Sequence, residues 1–325
     1  MSAYFFFLHL KSNPNKILML RSLIILTLIV FAASLQAQDR GTRDIISLSG
    51  RYALPGEYKE TYEGKAAETG MLNSLTAGFK LAPRTMFAIN VNHFYFHVED
   101  EAEMPDDIAS PINIHGIIVR AGIVQNFNNG GEMRLLAAPR LMSDFQNLDG
   151  NSMQWGALAS YQNDLNADLN LGFGAMFNRE LFGPYLVPII LLDWRVSERW
   201  YLEGMIPVTF RAHYRVNEGL DVGFNHFGLI TSYYLGDEEY AGDYLERQSI
   251  DLSLFARQRI YKNFFIEGMV GRTVGRSYRQ YEGDQTVSFA IPLVTFGDER
   301  TVKNTTFQDG MIFTLKLIFN MQVPD

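Results

Sequence analysis

The chain has 325 residues, no cysteine, 47% hydrophobic residues, a net charge of −8 at pH 7 and a mean hydropathy of −0.05. An acidic chain argues against nucleic acid as a partner, because phosphate binding needs a basic surface. Beyond the N-terminus no apolar run approaches the roughly 20 residues of a membrane helix, which excludes a helical-bundle membrane protein.

From Met19, "MLRSLIILTLIVFAASLQAQ" gives Arg21, then an uncharged apolar run from Leu23 to Ala33, with small residues at Ala33-Ser34 and again at Ala37 before Gln38. This order is that of an export signal, with cleavage expected after Ala37. Residues 1–18 read as an extension upstream of the true start at Met19. Removing residues 1–37 takes away Lys11, Lys16 and Arg21 and no acid, leaving 25 basic against 36 acidic residues, a net of −11. A large exported chain buries enough surface to fold without disulfides.

After Gln38 the pattern has period two, the signature of strands with one apolar face. Ile46, Leu48, Gly50, Tyr52 and Leu54 alternate with Ser47, Ser49 and Arg51; Leu75, Ala77, Phe79 and Leu81 alternate with Thr76, Gly78 and Lys80. In "INVNHFYFHV" the phase changes between Val91 and Phe94, which reads as a β-bulge at Asn92-His93. Trp155, Ala157, Ala159 and Tyr161 share a face, as do Leu169, Leu171, Phe173, Ala175 and Phe177 in "LNLGFGAMF". "PIILLDW" is apolar on both faces, so Ile189 and Leu191 are expected to pack inside. A second slip is expected near Asn225-His226. Ile250, Leu252, Leu254 and Ala256 form another face, and Met311, Phe313, Leu315, Leu317 and Phe319 the last.

The connections sort by length. Short ones fall at Ala82–Arg84, Asn128–Glu132, Asn163–Asp168, Ser197–Arg199, Asn217–Gly219 and Lys262–Asn263; longer polar ones fall at 55–70, 99–111, 143–154, 178–184, 235–246 and 277–308. A meander of hairpins with two unlike ends gives this alternation, whereas a Greek-key sandwich has no reason to. Aromatics bracket the short turns: Trp194 with Trp200 and Tyr201, Tyr261 with Phe264, and Phe127. That is the girdle expected at a membrane interface. The expected fold is therefore all-β, an antiparallel up-and-down transmembrane β-barrel of about 12–14 strands, with residues 38–325 as one outer-membrane domain. The uncertain join is Ile206-Pro207-Val208. Closure removes the two free edges a meander leaves, and the apolar faces are expected to meet lipid.

The stretches "AAPRLMSDF" and "LFGPYLVPIILLDWRVSERWYLEGMIPVTFRAHYRVNEGLDVGF" resemble a family of exported barrels grouped as domain of unknown function 6268. A proline-led apolar strand is followed by a turn, a "W-x-L" strand, a proline and "YR-x-N-x-x-L-x-x-G". The resemblance implies an outer-membrane location and carries no catalytic residue or cofactor. Many outer-membrane barrels end on an aromatic, whereas this chain ends "FNMQVPD".

Candidate sites follow from the faces opposite lipid. Lys80, Tyr95, Arg120, Glu203, Asp251, Arg257, Glu267 and Lys316 are expected to line the lumen. His93, Tyr95 and His97 share a face opposite Phe94, Phe96 and Val98 and are expected to point inward. The two histidines cannot share a metal, since residues four apart on a strand are roughly 13 Å apart and ligands lie about 2 Å from an ion. Either could act as a base on a serine of a neighbouring strand. The acidic stretch with Glu99, Asp100, Glu101, Asp106 and Asp107 offers oxygen ligands for calcium without matching a defined loop. Arg257, Arg259, Arg272, Arg276 and Arg279 form a basic run that could favour anions in a pore. "TVSFAIPLVTF", residues 286–296, is too apolar for a free loop and reads as a constriction or a further hairpin. No phosphate loop, zinc spacing or G-x-S-x-G appears. The expectation is a passive pore or transport barrel for small solutes, without a cofactor, with membrane lipids and the barrel-assembly machinery as partners. The alternatives are a lipid-modifying enzyme using His93 or His97, or a structural or adhesive barrel.

Overall fold

The computed structural model describes residues 42–59, 63–240 and 242–322, so the segment expected to be an export signal lies outside the described residues. The strands in chain order are β1 (Thr42–Glu57), β2 (Lys65–Ala82), β3 (Thr85–Asp100), β4 (Ile112–Asn126), β5 (Gly131–Ala137), β6 (Arg140–Ser143), β7 (Met153–Asp164), β8 (Leu169–Glu180) and β9 (Gly183–Arg195). They continue as β10 (Trp200–Ile206), β11 (Thr209–Asn217), β12 (Leu220–Tyr234), β13 (Tyr244–Tyr261), β14 (Phe264–Tyr281), β15 (Phe289–Ile291), β16 (Val294–Phe296) and β17 (Met311–Gln322). Each wall strand pairs antiparallel with its neighbour, and β17 pairs with both β14 and β1, which closes the barrel.

β5 and β6 are one wall strand, since both lie between β4 and β7. The break falls at Ala138-Pro139, where proline has no N–H to give the ladder. β15 and β16 form a hairpin inside the last long loop, so the wall has fourteen strands. The Ile206-Pro207-Val208 join is a genuine turn between β10 and β11. The expected loop at 178–184 shrinks to Leu181-Phe182, because β8 runs to Glu180 and β9 starts at Gly183.

The apolar faces point outward. Phe173 is 70% exposed, and Leu171 and Phe177 are exposed beside it, while Met176, Asn178 and Glu180 on the other face are buried. Leu48, Leu254, Val270, Phe313 and Leu315 continue this exposed belt around the barrel. In water such a surface would be an aggregation site; in a bilayer it is the required outer surface of a closed barrel. Trp194, Trp200, Tyr261, Phe264 and Phe127 are exposed beside the short turns. Tyr201 departs from that set: it stacks on His213 with ring centroids 5.0 Å apart.

The outer end, where the longer loops lie, is filled. The last residue of β12, Tyr234, bridges to Ser143 at the end of β6, and Asp144 N–H donates to the Tyr234 carbonyl at 3.0 Å. β12 thus leans across the lumen and closes a smaller ring with β6, β4, β3, β2, β1, β17, β14 and β13. An apolar cluster including Phe94, Phe96, Ile114, Met142 and Tyr233 fills that ring. A second cluster, with Met176, Tyr185, Val187 and Ile189, packs the inner face of β7–β9 against Ile230 and Tyr244. Ile189 is buried there and Leu191 packs against it.

β3 corrects one sequence expectation. Its pairing with β4 is unbroken from Thr85 to Val98 and its pairing with β2 unbroken from Met86 to Asp100, so no bulge exists at Asn92-His93. The backbone keeps its phase, and the surroundings of the two faces change instead. Below, Phe87, Ile89 and Val91 point outward and Asn90 and Asn92 inward. Above, Phe94, Phe96 and Val98 point into the filled ring, leaving His93, Tyr95 and His97 outside. β12 likewise shows no slip at Asn225-His226.

Candidate functional site

The short-turn half of the barrel holds a chamber of about 870 Å³. Its mouth is ringed by Asp44, Arg215, Glu218, Asp221 and Arg259, and its closed end is formed by Arg51, Phe94, Phe227 and Asp251. Apart from Glu218, which lies in the β11–β12 turn, these charged wall residues come from inward positions of strands, so the strand parity that sends Leu and Phe to lipid sends Arg and Glu to the chamber.

The wall charges are paired across strands. Arg257 donates to both Asp44 carboxylate oxygens, at 3.1 and 2.5 Å, and Asn320 Nδ2 donates to the same group at 2.7 Å. Glu267, behind the wall, accepts from Arg211 at 2.7 Å and lies 3.2 Å from Lys316 Nζ. Phenylalanines fix the guanidinium planes: Arg211 lies 4.0 Å over Phe255, and Arg257 4.7 Å over Phe265. Glu203 is the register partner of both Arg211 and Asp193, and His213 Nδ1 lies 3.9 Å from it. The result is a polar chamber with both signs of charge held in fixed positions.

The closed end is a buried ion network. Arg51 meets Asp251 at 2.6 Å and Glu68 at 2.9 Å. Tyr278 O–H donates to Glu68 at 2.7 Å, and Arg247 Nε donates to the Tyr278 oxygen at 2.9 Å. Arg247 is fully buried, 3.6 Å over the Phe96 ring and 3.6 Å from Glu68. Arg276 donates to the Gln308 carbonyl at 2.7 Å. Burying such pairs gains little net stability, but removing one partner leaves an uncompensated charge.

Among the sequence candidates, Glu203, Asp251, Arg257 and Lys316 stand on the chamber wall. Arg120 donates to Asn90 at 3.2 Å, and Lys80 is exposed near the short turns. Tyr95, His93 and His97 are corrected: all three are outside the barrel. His93 lies 3.2 Å from Asn73 Nδ2 and stacks on His115, Tyr95 also packs on His115, and His97 lies 2.8 Å from Asn113 Oδ1. Their hydrogen-bond partners are amides, and among the described residues no serine is paired with them as a catalytic reading requires. In the acidic loop, Asp100 accepts from Tyr58 and Ser110, and Asp107 lies 3.2 Å from Lys303. Glu99, Glu101 and Asp106 are exposed, and no metal-ligating cluster of three occurs among the described residues. The basic run separates: Arg259 lines the chamber, Arg272 is exposed, Arg276 enters the buried network and Arg279 lies 3.9 Å from Glu246.

Arg51, Glu68, Arg211 and Arg247 were not singled out from the sequence. Their signal was available, since each is a charged residue at an inward position of a strand, but the pairing that joins β1 with β13 is not a local property.

An even-numbered, closed antiparallel barrel with an exposed apolar belt, an aromatic girdle and a polar interior is an outer-membrane β-barrel. The chain belongs to the family described as Domain of unknown function (DUF6268), whose model matches residues 58–290. No curated protein matches it. Solved structures similar to it include the COG4313 outer membrane channel from Pseudomonas putida F1, at 10% identity and TM-score 0.41, covering 88% of this chain and 97% of that one. A TodX monoaromatic hydrocarbon channel is similar at 10% identity and TM-score 0.36, covering 88% and 91%. The NanC porin is similar at 10% identity and TM-score 0.35, covering 84% and 98%.

Proposed function

We propose that this protein is a transport barrel that admits small solutes to a chamber on the short-turn side of the outer membrane. The observation that carries this reading is the chamber itself, about 870 Å³ in volume, lined by oriented charges inside a lipid-facing wall. A barrel used only as an anchor has no need to hold Arg257, Arg211 and Lys316 at an open polar surface. The outward position of His93 and His97 disfavours the enzyme reading. One observation favours a structural barrel, namely the filled outer half.

Planar-bilayer recording of the purified protein separates the two. A transport barrel gives discrete conductance steps, or solute-dependent steps, that change with Arg257→Ala. A structural barrel gives a silent bilayer and no osmotic swelling of vesicles with any solute tested. Gel mobility of unboiled against boiled protein checks that the barrel is folded in both cases.

A further inference from the structure

Two wall strands stop short. The top residue pairs of β10 and β11 are Ile206 with Ile190 and Thr209 with Phe227. β9 continues outward to Gly183 and β12 to Tyr234 without them. Above the Pro207-Val208 turn the wall therefore has a gap between β9 and β12.

The gap is apolar. Ile189, Leu191, Met205, Val208 and Ile230 belong to or pack on one cluster around it. The chamber lies directly behind: Gly204, Thr209 and Phe227 line it, and Thr209 is the register partner of Met205. Two directions thus lead out of the chamber's closed end. Along the axis stand buried Glu68 and Arg247, which an apolar molecule could pass only by separating charged partners. Sideways stand methyl, thioether and aromatic groups, which cost such a molecule little.

The gap has a cover. β15 runs parallel to β9, with Ala290 opposite Tyr185, so its turn at Pro292-Leu293 points down toward the β10–β11 turn. One bridge and the Val287 N–H to Phe182 carbonyl bond, 2.8 Å, join this hairpin to β9. Leu293 is 78% and Phe296 50% exposed, so the hairpin presents apolar side chains on its outer surface. A short two-stranded hairpin has little stability of its own; beyond that bridge and bond this one is held by packing, with Ala290 and the adjoining Val287 buried in the same apolar cluster.

We propose that the gap above the β10–β11 turn is a lateral portal for apolar or amphipathic solutes between the chamber and the membrane, and that the β15–β16 hairpin is its door. This rests on the transport reading and adds to it a route and a solute class.

The test is a lock. The chain has no cysteine, so Tyr185→Cys with Ala290→Cys gives a single possible disulfide, across a strand spacing of about 4.8 Å that suits one. The full-length protein is produced in cells whose outer leaflet is lipopolysaccharide, and entry of the apolar probe N-phenylnaphthylamine is followed by fluorescence. Swelling of reconstituted vesicles in a small sugar is measured in parallel. The expected result is probe entry in the reduced form, loss to the level of protein-free cells after oxidation, and recovery on reduction, with swelling unchanged. A second variant, Phe289–Phe296 replaced by a Gly-Ser-Gly loop, is expected to admit the probe faster than wild type. If probe entry is the same locked and unlocked, and the loop variant also matches wild type, the lateral route is overturned while transport stands. If sugar and probe both fail to pass in every folded form, the transport reading falls and the portal with it.

Discussion

The two halves of β3 sit in opposite surroundings. From Phe87 to Asn92 the outward side chains are apolar and the inward ones are Ala88 and the amides Asn90 and Asn92; from His93 to Val98 the outward ones are polar and the inward ones are buried and apolar. One unbroken ladder carries both patterns. The lower half separates lipid from a wet chamber, and the upper half separates a wetter exterior from a packed core. Hydrophobic periodicity therefore reports which side is dry, not which side is inside, and the reversal at His93 marks the upper limit of the lipid belt.

The largest way to break this comparison is to unbalance the upper half. Glu68→Gln removes the carboxylate shared by Arg51 and Arg247, and is expected to destabilise by about 3–5 kcal/mol. Glu203→Gln, at the open chamber, is expected to change stability by less than about 1 kcal/mol. Thermal unfolding in detergent checks both. Next is the belt itself. Phe173→Arg should cost about 2–4 kcal/mol in bilayer folding equilibria, and His97→Arg, above the belt, no more than about 1 kcal/mol.

A smaller effect sharpens the chamber's role. Lys316→Ala takes one of the two cations from Glu267 and should move the reversal potential in a salt gradient toward cation preference. The smallest concerns the last long loop, where hydrogen bonds from Arg300 hold the Asp298 carboxyl below its ordinary value. A lowered value means the tether contributes fully above the unfolded value near 3.8 and is lost as pH falls through the folded one. Protease nicking within 282–310 should therefore rise only in strong acid, and Asp298→Asn should give the same rise at neutral pH.

Much of the fold was legible because it is local. Strand parity in "LNLGFGAMF", the sorted turn lengths and the aromatics at the turns each depend on neighbours in sequence. The lumen side of Arg257, Asp251 and Lys316 followed from the same parity. His93, Tyr95 and His97 depart from the sequence expectation because an apolar face does not mean lipid along the whole strand. Phe94, Phe96 and Val98 instead meet Met142 and Tyr233, and the inward lean of β12 that brings Tyr233 there leaves no periodic trace. Nor does the Arg51–Asp251 contact, which joins residues 200 positions apart. The short reach of β10 and β11 was visible only as a doubtful join at Pro207.

The central claim is the exchange of faces along β3, and single nitroxide labels placed at residues 87 to 98 of the cysteine-free chain test it most directly. In reconstituted vesicles, labels at 87, 89 and 91 should be quenched by oxygen and labels at 93, 95 and 97 by a water-soluble nickel complex. Those at 94, 96 and 98 should be shielded from both. If instead 94 and 96 are reached by oxygen and 93 and 97 are shielded, the strand changes phase, the histidines face the lumen, and the filled outer half described here is wrong.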